Sequence, residues 1–436
     1  MSHITTYQAA LDYLYSFVDP TRRPAATPDA AADNIRRMHA LLAIAGLPQA
    51  GLRCVVVAGT KGKGSSAALL EAMVRAAGLR VGLFTSPHLS SYRERIQVDR
   101  VPISRTTLIA QIAALQPLLE AFDATCYGRP TTFDLGLLVA LQHFAAARVD
   151  LAILEVGMGG RFDAVNVITP VVSAISSISY DHRAILGASL AEIAWNKAGI
   201  IKPHVPAVTV PQSAEAQPVL VAEAQTCGAP LWLAHPEGLL RDQGELMAYP
   251  VPLQPALRGS FQIENARLAL GVALLLRQSG FALPDAALAS GLARVSWPAR
   301  FELLPGAPPI LIDGAHNGDS CTKLIAAIRD AIAHERLILV LGTSRDKEID
   351  AMAAALAPAV AGVVVTRSHH PRAMDLDRIA AAVTPHLHGP LVMAPDVATA
   401  LATAQGMARA NDLVLVTGSL FVAAAAREAL GLAEAE

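Results

Sequence analysis

Short apolar runs, four or five residues long, alternate along this chain with longer stretches whose apolar side chains recur every three to four positions. Runs at 54–57, 81–84, 151–154 and 171–175 are too short for helices and show no polar alternation, which predicts strands buried on both faces. Between them, helical spacing covers 7–18, ending before Pro20, then 28–45 ending at Gly46, then 67–77 closed by Gly78, and then 132–147. Ser189-Leu190-Ala191-Glu192 is a capping box opening a further helix that carries Lys197. Residues 228–260 read as a small antiparallel element, 263–278 as a helix and 291–298 as a linker barred from helix by Pro298. A second series follows, with strands at 310–312, 337–341, 362–366, 391–393 and 413–416 and alanine-rich helices between them. Strand, helix, strand repetition predicts parallel sheets with right-handed crossovers. The mixed charges of Arg93-Glu94-Arg95 predict a solvated loop.

One boundary organises the rest. The run ending at Ala58 passes into Gly59-Thr60-Lys61-Gly62-Lys63-Gly64-Ser65 and then into a helix beginning near Ser66. Glycines let backbone N–H groups converge on an anion, the helix adds its positive end, and Lys63 supplies a cation, so the pattern predicts triphosphate binding. The spacing is unusual. Only Thr60 and Lys61 separate Gly59 from Gly62, and the hydroxyl waits until Ser65 rather than following the lysine directly.

Composition narrows the picture in three places. At 436 residues the chain exceeds one ordinary core, so two domains are expected, divided at 1–294 and 295–436. A net charge of −2 argues against a general nucleic-acid or membrane-surface binder, and with no apolar run of eighteen or more and no export-like start a cytoplasmic protein is the simplest expectation. The cysteines at 54, 126, 227 and 321 lack Cys-x-x-Cys pairing, so neither zinc nor a disulfide framework is suggested. Six lysines stand against twenty-nine arginines, which makes each retained lysine a candidate for a role that needs a compact amine.

In open parallel sheets ligands bind beyond the carboxyl ends of the strands. There lie Lys63 and Ser65, Ser86 and His88, Glu155, Asp181 and His182, and Asp313. Taken singly, Glu155 reads equally as a solvated carboxylate and His182 as a packing histidine. Taken together beside a triphosphate loop they predict phosphoryl chemistry, with a hydroxyl (Ser65 or Ser86) and a carboxylate (Glu155) as magnesium donors.

Six motifs in order carry a family resemblance: Gly-Thr-x-Gly-Lys-Gly-Ser, Thr-Ser-Pro-His-Leu, Glu-Val-Gly-x-Gly-Gly-Arg-x-Asp-Ala-x-Asn, Asp-His-x-x-x-Leu-Gly, Lys-Ala-Gly-Ile-Ile-Lys-Pro and Asp-Gly-Ala-His-Asn. The chain resembles the folylpolyglutamate synthase/dihydrofolate synthase branch of the Mur ligase family. That resemblance implies an α/β protein with an N-terminal P-loop ATPase-type parallel sheet domain and a smaller C-terminal Rossmann-like α/β domain. The implied activity is ATP-dependent addition of L-glutamate to dihydropteroate or a folate through an acyl phosphate. It also implies ATP held by Gly62, Lys63, Gly64, Ser65, Asn265, Arg300 and Asp313, the last two contributed by the second domain. Two magnesium ions would be held by Ser86, Glu155, His182 and a carbamylated Lys197, with Lys63, Lys197 and His316 as catalytic residues. Thr132, Phe133, Asp134, Phe162, Asp163 and Ala164 would form the pteroate pocket, and the protein would act as a monomer on small molecules, with no nucleic-acid or membrane partner.

Three positions depart from the family pattern: Lys61 for Asn, Asp134 for Glu, and Phe261 for His. They leave open a Mur-type ligase acting on a different carboxylate. A nucleotide-binding switch that hydrolyses ATP without ligation is the remaining alternative, though a second domain carrying Asp313 and His316 is more than a switch requires.

Overall fold

The computed structural model describes residues 4–17, 28–241 and 244–433. They divide into two compact units, one drawn from within Met1–His88, Arg93–Pro255 and Glu264–Val295 and the other from within Leu89–Tyr92, Ala256–Ile263 and Ser296–Glu436.

The first unit is built on ten strands: β1 (Cys54–Ala58), β2 (Val81–Phe84), β3 (Ile96–Val98), β4 (Val101–Pro102), β5 (Leu151–Glu155), β6 (Val172–Ile175), β7 (Ala207–Thr209), β8 (Leu231–His235), β9 (Gly238–Arg241) and β10 (Leu246–Ala248). Their order is β10-β9-β8-β7-β6-β1-β5-β2-β3-β4. From β8 to β2 the pairing is parallel, and antiparallel hairpins close both edges. Every residue of β1, β2, β5 and β6 is buried, which accounts for apolar runs without alternation.

The helix Lys63–Ala76 covers the central strands, and the helix Asp285–Arg294 lies hard against it: a β-carbon on Gly291 would overlap the backbone of Met73. Gly291 is therefore inside a helix and not in a linker, because its missing side chain serves close packing rather than a turn. Likewise Gly82 leaves room for the ring of Phe144, from the helix Thr132–Ala147.

Other boundaries also move. The helix after the glycine loop begins at Lys63, three residues before the expected start, with Gly62 as its N-cap. Tyr92–Arg95 is a 3-10 turn leading into β3, not a solvated loop; the charges lie beside a buried strand. The antiparallel element expected within 228–260 exists as β8-β9-β10 and extends the main sheet. The first helix runs Tyr7–Tyr15, while its expected stop at Val18 to Pro20 lies outside the described residues. Among the described residues no helix is long and apolar enough to cross a membrane.

The second unit is a six-stranded sheet, β11 (Glu302–Leu304), β12 (Ile310–Ile312), β13 (Leu337–Leu341), β14 (Gly362–Val365), β15 (Leu391–Met393) and β16 (Leu413–Thr417). Its order is β11-β12-β16-β13-β14-β15, antiparallel only at β11. Leu337, Leu339 and Leu341 enter one core layer and Ile338 and Val340 the other, so both faces are covered by helices.

Candidate functional site

The glycine loop leaves β1 through two backbone conformations that ordinary residues avoid, Gly59 at φ 145° and Gly62 at φ 86°. Neither glycine has room for a side chain, because a β-carbon at Gly59 would strike Ser176 and one at Gly62 would strike the amide of Asn265. The loop is laced to the segment after β6. Thr60 Oγ1 donates to Ser179 O at 3.0 Å and accepts from Ser179 N at 3.1 Å, and Ser176 Oγ donates to Lys61 O at 2.7 Å. The first intrahelical bond found is Ser66 N to Gly62 O, so the N–H groups of Lys63, Gly64 and Ser65 belong to the open first turn that suits an anion.

Two amines meet beneath this loop. Lys63 Nζ donates to Gly59 O at 3.2 Å, and Lys197 Nζ donates to the same oxygen at 2.8 Å. Lys197 lies near the end of the helix Leu190–Ala198 and is only 3% exposed. Burial, and then the neighbouring Lys63 charge, push its amine down to about 7. Lys61 Nζ is 3.2 Å from Asp181 Oδ2 in a half-buried ion pair.

Strand register positions the next pair. Phe84 is opposite Leu154, so the chain leaving β2 passes the end of β5, and Ser86 N donates to Glu155 Oε2 at 3.1 Å. Glu155 is buried. His88 accepts at Nδ1 from Arg95 Nε at 2.9 Å. His182 caps the short helix Arg183–Leu186 with φ 49°, its imidazole partly exposed. Among the described residues no three His, Cys, Asp or Glu side chains gather as a ready metal cage. Magnesium does not demand one, since it is commonly held by one or two carboxylates, with water and nucleotide phosphates completing the shell. The hard oxygens of Glu155 and Ser86 fit that kind of site.

The residues expected on the acceptor side lie next to the same strands, and Asp163 is close enough to Lys197 to act on its charge. Gly157 sits on the ring of Phe133 and the carboxylate of Asp163, and Phe133 packs against Phe84 with ring centroids 5.6 Å apart. Asp163 accepts from Met158 N and Val165 N at 3.0 and 2.9 Å, and burial pushes its carboxyl up to about 6. Ala164 is buried in the 3-10 turn that Asp163 caps. Phe162 packs on Trp195, ring centroids 5.9 Å apart, with the Arg161 guanidinium 4.2 Å from the Trp195 ring centroid.

Two expected acceptor residues have structural duties. Asp134 accepts from Arg37 Nε at 2.8 Å and from Thr131 N at 2.9 Å, completing a capping box, and Thr132 Oγ1 donates to Leu14 O at 2.8 Å. Arg37, itself buried, escaped the sequence reading; a cation on a helix gives no sign of a carboxylate ninety-seven residues on.

Arg300, Asp313 and His316 lie in the second unit, Asp313 at the end of β12 and thus on a different sheet from Glu155. Asp313 accepts from Phe301 N and Ala315 N, both at 2.8 Å. Burial raises its carboxyl, against the partial opposition of the Arg300 charge and these two hydrogen bonds. Arg300 Nη1 donates to Ala299 O, and His316 Nδ1 is 2.9 Å from Gly314 O.

Comparison with known proteins bears on this arrangement. The family described as "Mur ligase, glutamate ligase domain" matches residues 299–420. The dihydrofolate synthase/folylpolyglutamate synthase of Bacillus subtilis is 35% identical over 88% of this chain and 92% of its own. The Mycobacterium tuberculosis folylpolyglutamate synthase complexed with ADP superposes with a TM-score of 0.85 at 31% identity, covering 99% of both chains. A Yersinia pestis bifunctional folylpolyglutamate synthase/dihydrofolate synthase, complexed with AMPPNP and a Mn ion, gives 0.82 at 29% identity over 99% of this chain and 100% of that one.

Proposed function

The chain belongs to the folylpolyglutamate synthase/dihydrofolate synthase family of Mur ligases, and from that premise we infer that it is an ATP-dependent amide ligase joining L-glutamate to dihydropteroate, to a reduced folate, or to both. In this reaction an oxygen of the acceptor carboxylate attacks the γ-phosphorus of ATP, forming an acyl phosphate and releasing ADP. The uncharged amine of glutamate then attacks the acyl carbon, loses a proton, and expels inorganic phosphate as the amide forms. On this reading the reaction takes place in the cytoplasm, on diffusible substrates.

The observation that carries the reading is the convergence of Lys63 and Lys197 on Gly59 O. A loop that only held and hydrolysed a nucleotide would not require a second, buried amine of lowered pKa. Lys63 stands at the first turn of the helix Lys63–Ala76, placed to neutralise phosphate oxygens together with the open N–H groups of that turn. Lys197 is suited to carbamylation: its ammonium loses one proton, the neutral Nζ adds to CO2, and a second proton leaves, so that a cation becomes an anion with two oxygens. Arginine offers no such adduct. Glu155, Ser86, His182 and the carbamate are the groups proposed to hold Mg2+, which when bound supplies positive charge to the transferring phosphoryl group. Asn265 beside Gly62, with Arg300 and Asp313, is proposed to complete the nucleotide contacts, and His316 to serve the incoming glutamate.

Phe133, Phe162, Asp163 and Ala164 are the residues proposed to face the pterin end of the acceptor. Asp134 and Phe261, two of the departures that raised a different carboxylate, are taken up by packing. Asp134 is paired with Arg37, and Phe261 stacks edge-on against Phe301. The test is phosphate release from ATP with Mg2+ and glutamate, with dihydropteroate or tetrahydrofolate as acceptor. Release that depends on both glutamate and acceptor is expected; no response to either acceptor overturns the folate assignment.

A further inference from the structure

Lys61 is given none of the roles above, yet it lies in the glycine loop and pairs with Asp181. We propose that Lys61 is a positioning residue for the His182 imidazole, acting through the carboxylate of Asp181. This rests on the reading of His182 as a metal ligand and adds a residue to that site.

The geometry forms a short relay. Lys61 Nζ lies 3.2 Å from Asp181 Oδ2, while the other oxygen, Asp181 Oδ1, accepts the backbone N–H of His182 at 3.0 Å. His182 needs such help more than most residues. Its φ of 49° is in the left-handed region, where a β-carbon crowds the backbone, and the short helix that it caps receives no side-chain cap bond from it. The imidazole is 42% exposed, so packing alone does not orient it. The carboxylate that holds the His182 backbone N–H also faces the ring, Asp181 Oδ1 lying 3.9 Å from His182 Nε2, and it is held in turn by the ammonium of Lys61.

The flanking chain makes the coupling stiff. Thr60 exchanges two hydrogen bonds with Ser179, and Thr60 N and Lys61 N both donate to Ser177 O, at 2.8 and 3.2 Å. The loop that receives phosphate and the turn that presents His182 are therefore one laced body. A lysine merely facing solvent, or one reaching for phosphate, would not need Asp181 as its partner. The pair is also partly sheltered, with side chains 21% and 20% exposed, where an ion pair holds geometry better than one in open solvent.

Residues that hold a metal ligand in position are typically worth about ten- to a hundredfold in metal affinity. The test titrates Mn2+ into the full-length protein carrying bound ADP, with free Mn2+ read by electron paramagnetic resonance, and measures ADP affinity without metal by calorimetry. Lys61→Met should weaken Mn2+ binding by about tenfold while leaving metal-free ADP affinity within about twofold, and Lys61→Arg should recover most of the loss. Asp181→Asn, which keeps an oxygen for the His182 N–H but loses the charge, should also weaken Mn2+ binding; it serves as the independent variant if Lys61→Met melts early. Lys61→Met added to His182→Ala should cost nothing further, since both act through one ligand. Unchanged Mn2+ affinity in Lys61→Met and Asp181→Asn, with His182→Ala weakened, overturns the proposal. So does an equal fall in metal-free ADP affinity, which would make Lys61 a phosphate contact. If His182→Ala binds Mn2+ normally, the failure lies in the metal reading and the proposal falls with it.

Discussion

Lys63 and Lys197 share one acceptor: both side-chain amines donate to Gly59 O, at 3.2 and 2.8 Å. Burial disfavours the charged amine of Lys197 most, and the Lys63 charge, which one neutral carbonyl oxygen cannot offset, adds to it, so Lys197 is held at about 7. The chain uses arginine at twenty-nine positions, but a guanidinium neither loses its proton nor adds CO2, so arginine could not take the role proposed for Lys197.

Replacing that amine should therefore abolish turnover. Lys197→Ala is expected to lose at least about a hundredfold in kcat, comparable with removing one preorganised charge-stabilising group. Short carboxylic acids, entering the vacated space as surrogate anions, should restore part of it. Lys197→Arg should be equally inactive and resist rescue, since its guanidinium fills the space and stays charged. Full activity in Lys197→Ala would remove the carbamate from the mechanism.

Asp163 predicts a pH dependence of stability. Its folded carboxyl is raised from 3.8 to about 6, mainly by burial, so its stabilising contribution is complete below about pH 4 and is lost as pH rises through about 6. The size is on the order of 3 kcal/mol, from about two pH units at 1.36 kcal/mol each. Denaturant unfolding of the native protein and of Asp163→Asn between pH 4 and 7.5 should show the difference moving in favour of the variant from about pH 4 to just above about 6 and flat beyond. Parallel curves would show that Asp163 titrates normally.

The local features of the site were legible because each coincides with a change of pattern. Lys63 follows an apolar run into glycines, and Glu155 ends another run. What a linear pattern lacks is the partner. Lys197 bonds a carbonyl 138 positions away and Lys61 a carboxylate 120 positions away, distances fixed by which crossover lands on which strand. Composition misled where one residue type serves two ends. Gly291 reads as punctuation yet permits a close helix contact, and the charges of Arg93-Glu94-Arg95 concealed a turn feeding the buried β3. Nor could spacing reveal Arg37 as the buried partner of Asp134.

That pair supports a stability prediction. Arg37 and Asp134 side chains are 2% and 3% exposed, so removing one leaves an uncompensated buried charge. Arg37→Met should cost about 3–5 kcal/mol in denaturant unfolding. Arg37→Met combined with Asp134→Leu should cost much less, while ADP affinity remains unchanged in both. A loss below about 1 kcal/mol in Arg37→Met would mean that water reaches Asp134 and replaces the guanidinium.

Gly62 and Gly78 together separate backbone strain from contact. Both have left-handed backbones, at φ 86° and 82°, and both follow or precede the same helix, Lys63–Ala76. A β-carbon at Gly78 meets nothing within 4 Å, whereas one at Gly62 runs into the Asn265 amide. Gly78→Ala should therefore lose only about 1–2 kcal/mol of stability, the cost of a left-handed alanine, with ADP affinity intact. Gly62→Ala carries that cost and must also displace either Asn265 or the loop, so ADP binding measured by calorimetry should weaken at least tenfold, about 1.4 kcal/mol. Equal ADP affinities in the two variants would show that Asn265 can move aside freely, and that Gly62 is required by its backbone alone.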